Sequence, residues 1–367
     1  MGHRIRVLIV DDSVVACKVL SDVLGTDPGI EIAATAHSGA SALSRLSDCA
    51  PDVVMLDVDM PGMDGLQTLA EIRRQRPHLP VIMCSGLTEQ GSAVTVKALL
   101  GGASDYVTKP KGGRAAAPLE SFRRELLEKI HALGNGSPSI VRTVPEPAAA
   151  DPGWTPVAAA ARPRIDVVAI GISTGGPKAL AEVIPRLPAD FPVPVLIVQH
   201  MPAPFTKSLA DSLTRRSSLE VEEGFAGAEV VPGKVWIAPG GFHMRVVRRG
   251  ARVELVIDEE PPVLSCRPSA NLLFESVAAV YGASALGVIM TGMGQDGTEG
   301  AGYIRKAGGS IFVQDEASSV VWGMPGSVVK AGLHHRMVPI GRMGEVIHGA
   351  VLQGRMRKPP SEPPHGA

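Results

Sequence analysis

The sequence has no excess charge of either sign and no long apolar run. Its 36 lysines and arginines balance 37 aspartates and glutamates, for a formal net charge of -1, so no overall field favours nucleic acid or an acidic membrane surface. No apolar segment approaches the ~20 residues of a membrane-spanning helix, and Met1 to Arg4 lead directly into a strand-like run without a signal-peptide core. We therefore expect a cytoplasmic protein that neither binds nucleic acid nor inserts into a membrane.

Cysteine is also scarce. The chain has four, which lie far apart and show no spacing typical of a metal site: Cys17, Cys49, Cys84 and Cys266. Cys17 falls inside an apolar helical pattern. We expect all four to be reduced residues of the protein core.

What the chain does contain is a regular alternation of strand-length apolar runs and helical patterns. Its 367 residues suffice for two domains of ~100 to 200 residues each. Five βα repeats predict a first domain, residues 3–133, with a parallel sheet covered on both faces. Its strand candidates are Ile5 to Val10, Glu31 to Ala36, Asp52 to Leu56, Pro80 to Cys84 and Asp105 to Thr108. Its last helix has apolar residues at intervals of three and four, namely Leu119, Phe122, Leu126, Ile130 and Leu133.

Residues 134–164 differ from the segments on either side. They are rich in glycine, proline and alanine, which is typical of a semi-extended linker. Trp154 is the aromatic exception, and it either lies on the nearest surface or docks on a domain or a partner. The proline-rich residues 355–367 predict a disordered tail.

Residues 165–354 resume the alternation and predict a second α/β domain with a parallel sheet. Its strand candidates are Asp166 to Ile170, Val193 to Val198, Lys234 to Ala238, Ala285 to Met290, Ser310 to Val313 and Arg336 to Ile340. Its helix candidates are Pro177 to Leu187, Phe205 to Arg216, Ala270 to Tyr281, Thr298 to Ala307, Ser319 to Ala331 and Met343 to Leu352. Phe242 to Val247 and Arg252 to Ile257 predict an antiparallel hairpin appended to this domain.

Charged residues follow three strands of the first domain. Asp11 and Asp12 follow the first strand, Asp57 ends the third, and Lys109 follows the fifth. The carboxyl ends of parallel strands meet at one edge of a sheet, and clustered carboxylates favour a hard divalent cation such as Mg²⁺. Asp57 could then accept a phosphoryl group while Lys109 contacts a phosphoryl oxygen. The alternative is that the aspartates cap the following helix and Lys109 belongs to a turn.

Three motifs in this domain resemble the receiver domain of two-component response regulators. They are Val-Asp-Asp-Ser at 10–13, Leu-Asp-Val-Asp-Met-Pro-Gly-Met-Asp-Gly at 56–65, and Val-Thr-Lys-Pro at 107–110. The resemblance implies that Asp57 is the phospho-acceptor and that a histidine kinase is the phosphodonor. It also implies a (βα)5 doubly wound fold acting as a switch, with the output in the second domain.

The same resemblance implies the ligands of the switch. Mg²⁺ would be held by Asp12, Asp57 and the backbone carbonyl of Asp59, and by Asp11 through water. Ser85 and Lys109 would contact the phosphoryl group. Tyr106 lies in the fifth strand, where its packing could relay the state of the site.

In the second domain, three residue types suited to acyl transfer follow strands. Ser173 lies in Gly171 to Gly176, a glycine-rich strand-to-helix turn, His200 follows the next strand, and Asp296 lies in the loop after Ala285 to Met290. If these strands are neighbours, a nucleophile, a base and an orienting carboxylate meet at one edge. For the oxyanion hole, backbone N–H groups of Gly292 to Gly294 are candidates, Met293 above all, with possible help from Thr174.

Each of these residues also has a structural interpretation. The glycine-rich turn could be a tight connection or a phosphate cradle, a histidine at a strand end is often structural, and an aspartate before glycine often forms a turn or a cap. His243 either lines a substrate groove or is structural, whereas His334 and His335 are expected at the surface.

The motifs around these residues, with a receiver ahead of them, closely resemble the chemotaxis protein-glutamate methylesterases, the CheB family. The matching segments are 170–177, 199–201, 238–240, 267–269 and 291–297. The resemblance implies a catalytic triad of Ser173, His200 and Asp296. It also implies hydrolysis of glutamyl methyl esters on the cytoplasmic helices of chemoreceptors, with release of methanol, and often deamidation of receptor glutamines.

We expect a monomer in which the unphosphorylated receiver packs over the catalytic edge and phosphorylation of Asp57 opens access. Two alternatives stay open at the level of sequence. The second domain could bind a partner without catalysis, or it could hydrolyse another ester or amide.

Overall fold

The computed structural model describes residues 3–86, 88–109, 116–134, 164–353 and 355. Most of the predicted linker, Trp154 and nearly all of the predicted tail lie outside these residues. Two separate parallel sheets and one antiparallel hairpin are present among them, in agreement with the predicted α/β class. No helix of the described ranges combines the length and apolarity that crossing a membrane requires.

The first sheet has five parallel strands in the order β2-β1-β3-β4-β5. They are β1 Ile5–Val10, β2 Ile30–Ala36, β3 Val53–Asp57, β4 Val81–Ser85 and β5 Asp105–Thr108. The helices are α1 Val14–Leu24, α2 Gly39–Cys49, α3 Gly65–Gln75, α4 Glu89–Leu100 and α5 Ala116–Gly134. The central strands are buried on both faces, as expected of a doubly wound sheet.

The second sheet has seven parallel strands in the order β14-β13-β12-β6-β7-β9-β8. They are β6 Val167–Ile172, β7 Val195–Gln199, β8 Glu220–Glu223, β9 Lys234–Ile237, β12 Ala285–Ile289, β13 Ser310–Gln314 and β14 Arg336–Val338. The predicted hairpin is β10 His243–Arg249 with β11 Arg252–Asp258. Because β12, β6 and β7 are direct neighbours, the loops that follow them open at the same edge.

The helices of this part are α6 Gly176–Val183, α7 Phe205–Thr214, α8 Ala270–Tyr281, α9 Thr298–Lys306, α10 Gly323–Lys330 and α11 Ile340–Gln353. The prediction that α10 starts at Ser319 is wrong. Ser318 donates its backbone N–H to a carboxylate oxygen of Asp315, and the Ser319 hydroxyl bonds to the Asp315 carbonyl. These local side-chain bonds form a turn that competes with the helix, so the helix begins four residues later.

The two domains contact each other through α4 and β5 of the first and α7 of the second. The rings of Tyr106 and Phe205 stack with centroids 4.7 Å apart, and the hydroxyls of Ser92 on α4 and Ser208 on α7 lie 2.9 Å apart. Ser92, Tyr106 and Phe205 are all buried. This face of the first domain therefore packs against the second at the start of α7, beside the carboxyl end of β7.

Candidate active site and receiver site

Ser173 lies in a sharp turn between β6 and α6. Its N–H donates to the Thr291 carbonyl at 3.0 Å, and its own carbonyl accepts from Gly176 N at 2.7 Å. Gly175 has φ +77°, and a Cβ there would lie 2.6 Å from a methyl carbon of Val320. The glycine is therefore required both by its conformation and by the close approach of Val320.

His200 and Asp296 form the second part of the site. His200 Nε2 lies 2.8 Å from Asp296 Oδ2, so in the neutral ring this nitrogen carries the proton and Nδ1 is the acceptor. Desolvation lowers the pKa of His200, but the hydrogen bonds to Asp296 and Cys266 outweigh it and raise the pKa to about 10. The imidazole thus favours the protonated form when it faces the carboxylate.

Asp296 is held rigidly by its other contacts. Its side chain is 2% exposed, and it accepts from the Ser269 hydroxyl at 2.7 Å, Ala270 N at 2.6 Å and Asn271 N at 3.1 Å. Burial alone would raise the pKa of Asp296, but the hydrogen bonds from His200, Ser269 and Ala270 lower it below its ordinary value. An ionised, fully bonded carboxylate is suited to orient an imidazole and to stabilise its charge.

Ser173 and His200 line the same cavity, so the structure brings the three predicted residues to one edge. The cavity has a volume of about 30 Å³, and Asp105, Tyr106 and Lys129 from the first sheet help to enclose it. This volume admits one or two water molecules but not a glutamyl methyl ester. Among the described residues, the Ser173 hydroxyl has no hydrogen-bond partner, so it is free to donate to an acceptor at the wall of the cavity it shares with His200.

The predicted oxyanion loop is held by backbone bonds to the segment before α10 and to the first turn of that helix. Gly292 N donates to the Val321 carbonyl at 2.9 Å, and the Gly292 carbonyl accepts from Met324 N at 2.9 Å. The Gly292 N–H is therefore engaged, whereas the N–H of Met293 has no backbone partner within the described ranges. The hydroxyl of Thr174 is also engaged, because it donates to Asp105 Oδ2 at 2.6 Å.

Asp105 connects the first sheet to this turn. It is buried at the start of β5, where its second oxygen accepts from Tyr106 N at 2.7 Å and lies 3.3 Å from Lys129 Nζ. Burial disfavours the charge of Lys129, but Asp105 and Glu125 keep its pKa raised. A satisfied carboxylate of the first sheet is thus bonded to the residue that follows Ser173.

The predicted acidic cluster is present at the other end of β5. Asp11, Asp12 and Asp57 each offer an oxygen within 4.8 Å of the others, and Lys109 Nζ lies 2.7 Å from Asp11 and 2.6 Å from Asp57. Burial raises the pKa of Asp57. Desolvation lowers the pKa of Lys109, but the hydrogen bonds that Lys109 makes to Asp11 and Asp57 outweigh it and raise that pKa. Three convergent carboxylates fit the oxygen donor set that Mg²⁺ prefers.

The neighbours of this cluster exclude the helix-cap alternative for α1. Ser13, not Asp11 or Asp12, caps the helix by accepting from Ala16 N. The side chain of Asp59 is exposed, and the hydroxyl of the buried Ser85 lies 3.2 Å from the Gly86 carbonyl and 3.4 Å from that of Gly91. Ser85 lies at the end of β4, on the same edge as Asp57.

Two sequence expectations need correction or narrowing. Cys266 is not a core residue: it is partly exposed, and its Sγ lies 3.7 Å from His200 Nδ1. The only sequence signal for this was its position next to Arg267 to Ser269. His243 is fully buried, with Nε2 3.2 Å from the Pro261 carbonyl, which favours its structural interpretation.

Comparisons with known proteins cover both parts of the chain. Residues 168–347 match the family model of CheB methylesterase, and residues 7–115 match that of the response regulator receiver domain. A protein-glutamate methylesterase/protein-glutamine glutaminase of Trichodesmium erythraeum is 41% identical over 94% of this chain and 98% of its own length. A protein of Caulobacter vibrioides with the same description is 43% identical over 93% of this chain and 97% of its own.

The CheB methylesterase catalytic domain of Thermotoga maritima has a similar crystal structure. It superimposes with a TM-score of 0.50 and 40% identity, covering 50% of this chain and 98% of that domain. Together with the geometry of the two sites, these matches show that the chain belongs to the CheB methylesterase family and carries an N-terminal receiver domain.

Proposed function

We propose that this protein removes methyl groups from glutamyl methyl esters of chemoreceptors, releasing methanol, and deamidates receptor glutamines to glutamate. The observation that carries the proposal is the pairing of His200 with Asp296 beside Ser173, in loops that follow three adjacent strands. The relatives described as methylesterase/glutaminase over nearly the whole chain support the substrate class.

The proposed reaction is acyl transfer through Ser173. The hydroxyl attacks the γ-carbonyl, its proton passes to Nδ1 of His200, and the same nitrogen returns it to the leaving methanol or ammonia. Water then enters, gives up a proton to His200 and releases the glutamate carboxylate from the acyl-enzyme. Asp296 holds the imidazole by Nε2 throughout, and the free N–H of Met293 is available to the oxyanion.

The first test is loss of the nucleophile. Ser173→Ala should abolish methanol release from membranes with methylated receptors, a loss of at least about 10³-fold, because no other group can form the acyl-enzyme. Ser217→Ala is the matched control, since its hydroxyl bonds only to the Leu219 carbonyl within the described structure.

A serine-reactive phosphonate distinguishes a hydrolase from a binding module. With a phosphodonor present to open the site, it should label the wild-type protein and the Ser217→Ala control but not Ser173→Ala. Normal turnover in Ser173→Ala, with an unchanged thermal unfolding curve, would refute the assignment of the nucleophile.

We also propose that the receiver takes a phosphoryl group on Asp57 from a histidine kinase of the chemotaxis type. Mg²⁺ held by Asp12, Asp57 and the Asp59 carbonyl, with Asp11 through water, would shield the charge of the phosphoryl group. Lys109, which bonds both Asp11 and Asp57, and Ser85 would contact that group.

The regulation follows from the closed cavity. Because the cavity of about 30 Å³ cannot take the substrate, the receiver must move away before hydrolysis. Phosphorylation at one end of β5 would weaken the contacts that Asp105 and Tyr106 make at its start. We also propose that the two domains span residues 3–133 and 165–354, and that the protein is a monomer of the cytoplasm.

A further inference from the structure

Cys266 lies at the end of a two-residue turn that brings its thiol to the imidazole of His200. Val263 N donates to the Cys266 carbonyl at 3.1 Å, and Cys266 N donates to the Val263 carbonyl at 2.8 Å. The residues between them, Leu264 and Ser265, have φ +51° and +64°. Residues with side chains rarely adopt this left-handed conformation, and the two backbone hydrogen bonds between Val263 and Cys266 hold the turn and thereby the position of the thiol.

The thiol and the imidazole nitrogen have the spacing of two metal ligands. Cys266 Sγ lies 3.7 Å from His200 Nδ1, and the other hydrogen-bond contact of the thiol is the Leu264 carbonyl at 3.5 Å. A tetrahedral Zn²⁺ with bonds of about 2.3 Å to sulfur and about 2.0 Å to nitrogen separates these two ligand atoms by about 3.5 Å. One ion can therefore bind both atoms with little movement.

Asp296 completes the arrangement from behind the ring. Donor atoms of His200, Cys266 and Asp296 all lie within 4.8 Å of one another. The oxygens of Asp296 already accept four hydrogen bonds, however, including the one from Nε2 of His200. Asp296 is therefore an outer partner that keeps the proton on Nε2, so that loss of the Nδ1 proton exposes the lone pair there, as carboxylates do behind metal-binding histidines.

We propose that Cys266 and His200 form a binding site for a thiophilic divalent cation, Zn²⁺ above all, and that occupation of this site stops hydrolysis. The inhibitory part rests on the proposed function, in which Nδ1 receives the proton of Ser173. Binding releases the thiol proton of Cys266 and, from the imidazolium, the Nδ1 proton of His200 to solvent, and the metal then takes the lone pair of Nδ1, so the base is lost. With two protein ligands and water in the remaining positions, binding is reversible and weaker than at a structural zinc site.

The binding test uses Co²⁺ as a spectroscopic probe on the metal-free full-length protein. Saturating Mg²⁺ fills the acidic cluster of the receiver first, so that Co²⁺ reports the other site. We expect one Co²⁺ per chain with a thiolate-to-cobalt charge-transfer band, which added Zn²⁺ removes. Cys266→Ser should lose the band and weaken Zn²⁺ binding at least about tenfold, whereas Cys49→Ser, which changes a buried cysteine of α2, should lose neither.

The activity test measures methanol release against Zn²⁺ concentration with the receiver phosphorylated in the presence of Mg²⁺, each variant relative to its own zinc-free rate. Half-inhibition of Cys266→Ser should need at least about tenfold more Zn²⁺ than that of the wild type and of Cys49→Ser. If Cys266→Ser fails to fold, Cys266→His supplies another ligand and should bind Zn²⁺ without the charge-transfer band.

The outcomes separate this site from the proposed function. Equal Zn²⁺ affinity in Cys266→Ser, or Co²⁺ bound to the wild type without a thiolate band, overturns the site. A thiolate band in a protein that never releases methanol leaves the site standing and refutes the esterase assignment instead.

Discussion

His200 holds its two ring nitrogens in different surroundings. Nε2 is bonded to a buried, ionised Asp296, while Nδ1 lies 3.7 Å from the thiol of Cys266, and the ring lines the cavity that Ser173 also lines. The hydrogen bond from Nε2 to Asp296 sets the tautomer of the neutral ring. The surroundings of Nδ1 determine which groups can compete for its lone pair. At the scale of the residue, the reactivity of Ser173 depends on what occupies Nδ1.

The pH dependence of hydrolysis should follow His200. Only the neutral imidazole accepts a proton, and the pKa of His200 is raised to about 10, so kcat/KM should rise with pH through the neutral and alkaline range. Asp296→Asn removes the carboxylate that raises this pKa, so the rising limb should move to lower pH while the maximal rate falls by about 10⁴-fold.

The measurement is methanol release across pH with the receiver phosphorylated throughout and spontaneous ester hydrolysis subtracted. A limb that stays in place in Asp296→Asn would contradict the assignment of Asp296 as the cause of the raised pKa. The phosphonate-labelling rate of Ser173, followed over the same range, reports the same base without the substrate.

At the scale of the element, the strand-to-helix turns determine where the functional groups lie. The turn between β6 and α6 depends on Gly175, whose φ of +77° and contact with Val320 leave no room for a Cβ. Gly302 in α9 is the opposite case, because a Cβ there would meet nothing within 4 Å. These two glycines form a matched pair for one experiment.

Gly175→Ala should reduce turnover sharply and lower the free energy of unfolding by about 1–3 kcal/mol, since it forces both a left-handed alanine and a clash with Val320. Gly302→Ala should stabilise the helix by about 0.5–1 kcal/mol and leave turnover unchanged. Denaturant unfolding and methanol release measure both effects. Equal stability of the two variants would show that the turn is less constrained than its geometry indicates.

Strand order also explains how much of the site the sequence could predict. Ser173, His200 and Asp296 were predictable because each follows a recognisable strand and parallel strands align their carboxyl ends. Cys266 and Asp105 were not predictable as site residues. Cys266 comes from an irregular turn before α8 and Asp105 from the other sheet, and no local pattern reports either contact.

The fold shows the same division. The limits of β1, β5 and α8 match the prediction from apolar periodicity. Strand β8 was not predicted, because three of its four residues are glutamates and the segment has no apolar pattern. The strand lies at the edge of the sheet, where charged residues are tolerated. The predicted start of α10 was wrong because the hydrogen bonds from Ser318 and Ser319 to Asp315 form a turn there. Apolar periodicity carries no information on such local side-chain bonds.

At the scale of the whole molecule, the receiver closes the active site through a few specific contacts. Asp105 bonds Thr174, Tyr106 stacks on Phe205, and Ser92 meets Ser208. Lys109, which bonds Asp57, follows the same short strand that begins with Asp105. The switch and the closed site are therefore separated by the length of β5, about 13 Å.

Loosening the interface should activate the enzyme without a phosphodonor. Ser208→Lys places a charged side chain against the buried Ser92, and each 1.4 kcal/mol lost from the closed state should raise the resting rate about tenfold. Lys207→Ser, an exposed neighbour on α7, is the matched control and should keep the wild-type resting rate. Methanol release is measured with and without a small-molecule phosphodonor.

Asp57→Asn provides the complementary result, because it should keep the low resting rate and lose the response to the phosphodonor. The double variant of Ser208→Lys and Asp57→Asn should remain active. An inactive double variant would show that phosphorylation does more than separate the two sheets.

Because the cavity is closed, the resting turnover rate is proportional to the fraction of molecules in which the two domains have separated. If one molecule in a hundred is open, the resting rate is about one hundredth of the full rate, whatever the catalytic residues can achieve. Mutations at the interface can thus change the hydrolysis rate in the absence of phosphorylation. Selection can adjust the sensitivity of the pathway in this way while the catalytic residues stay the same.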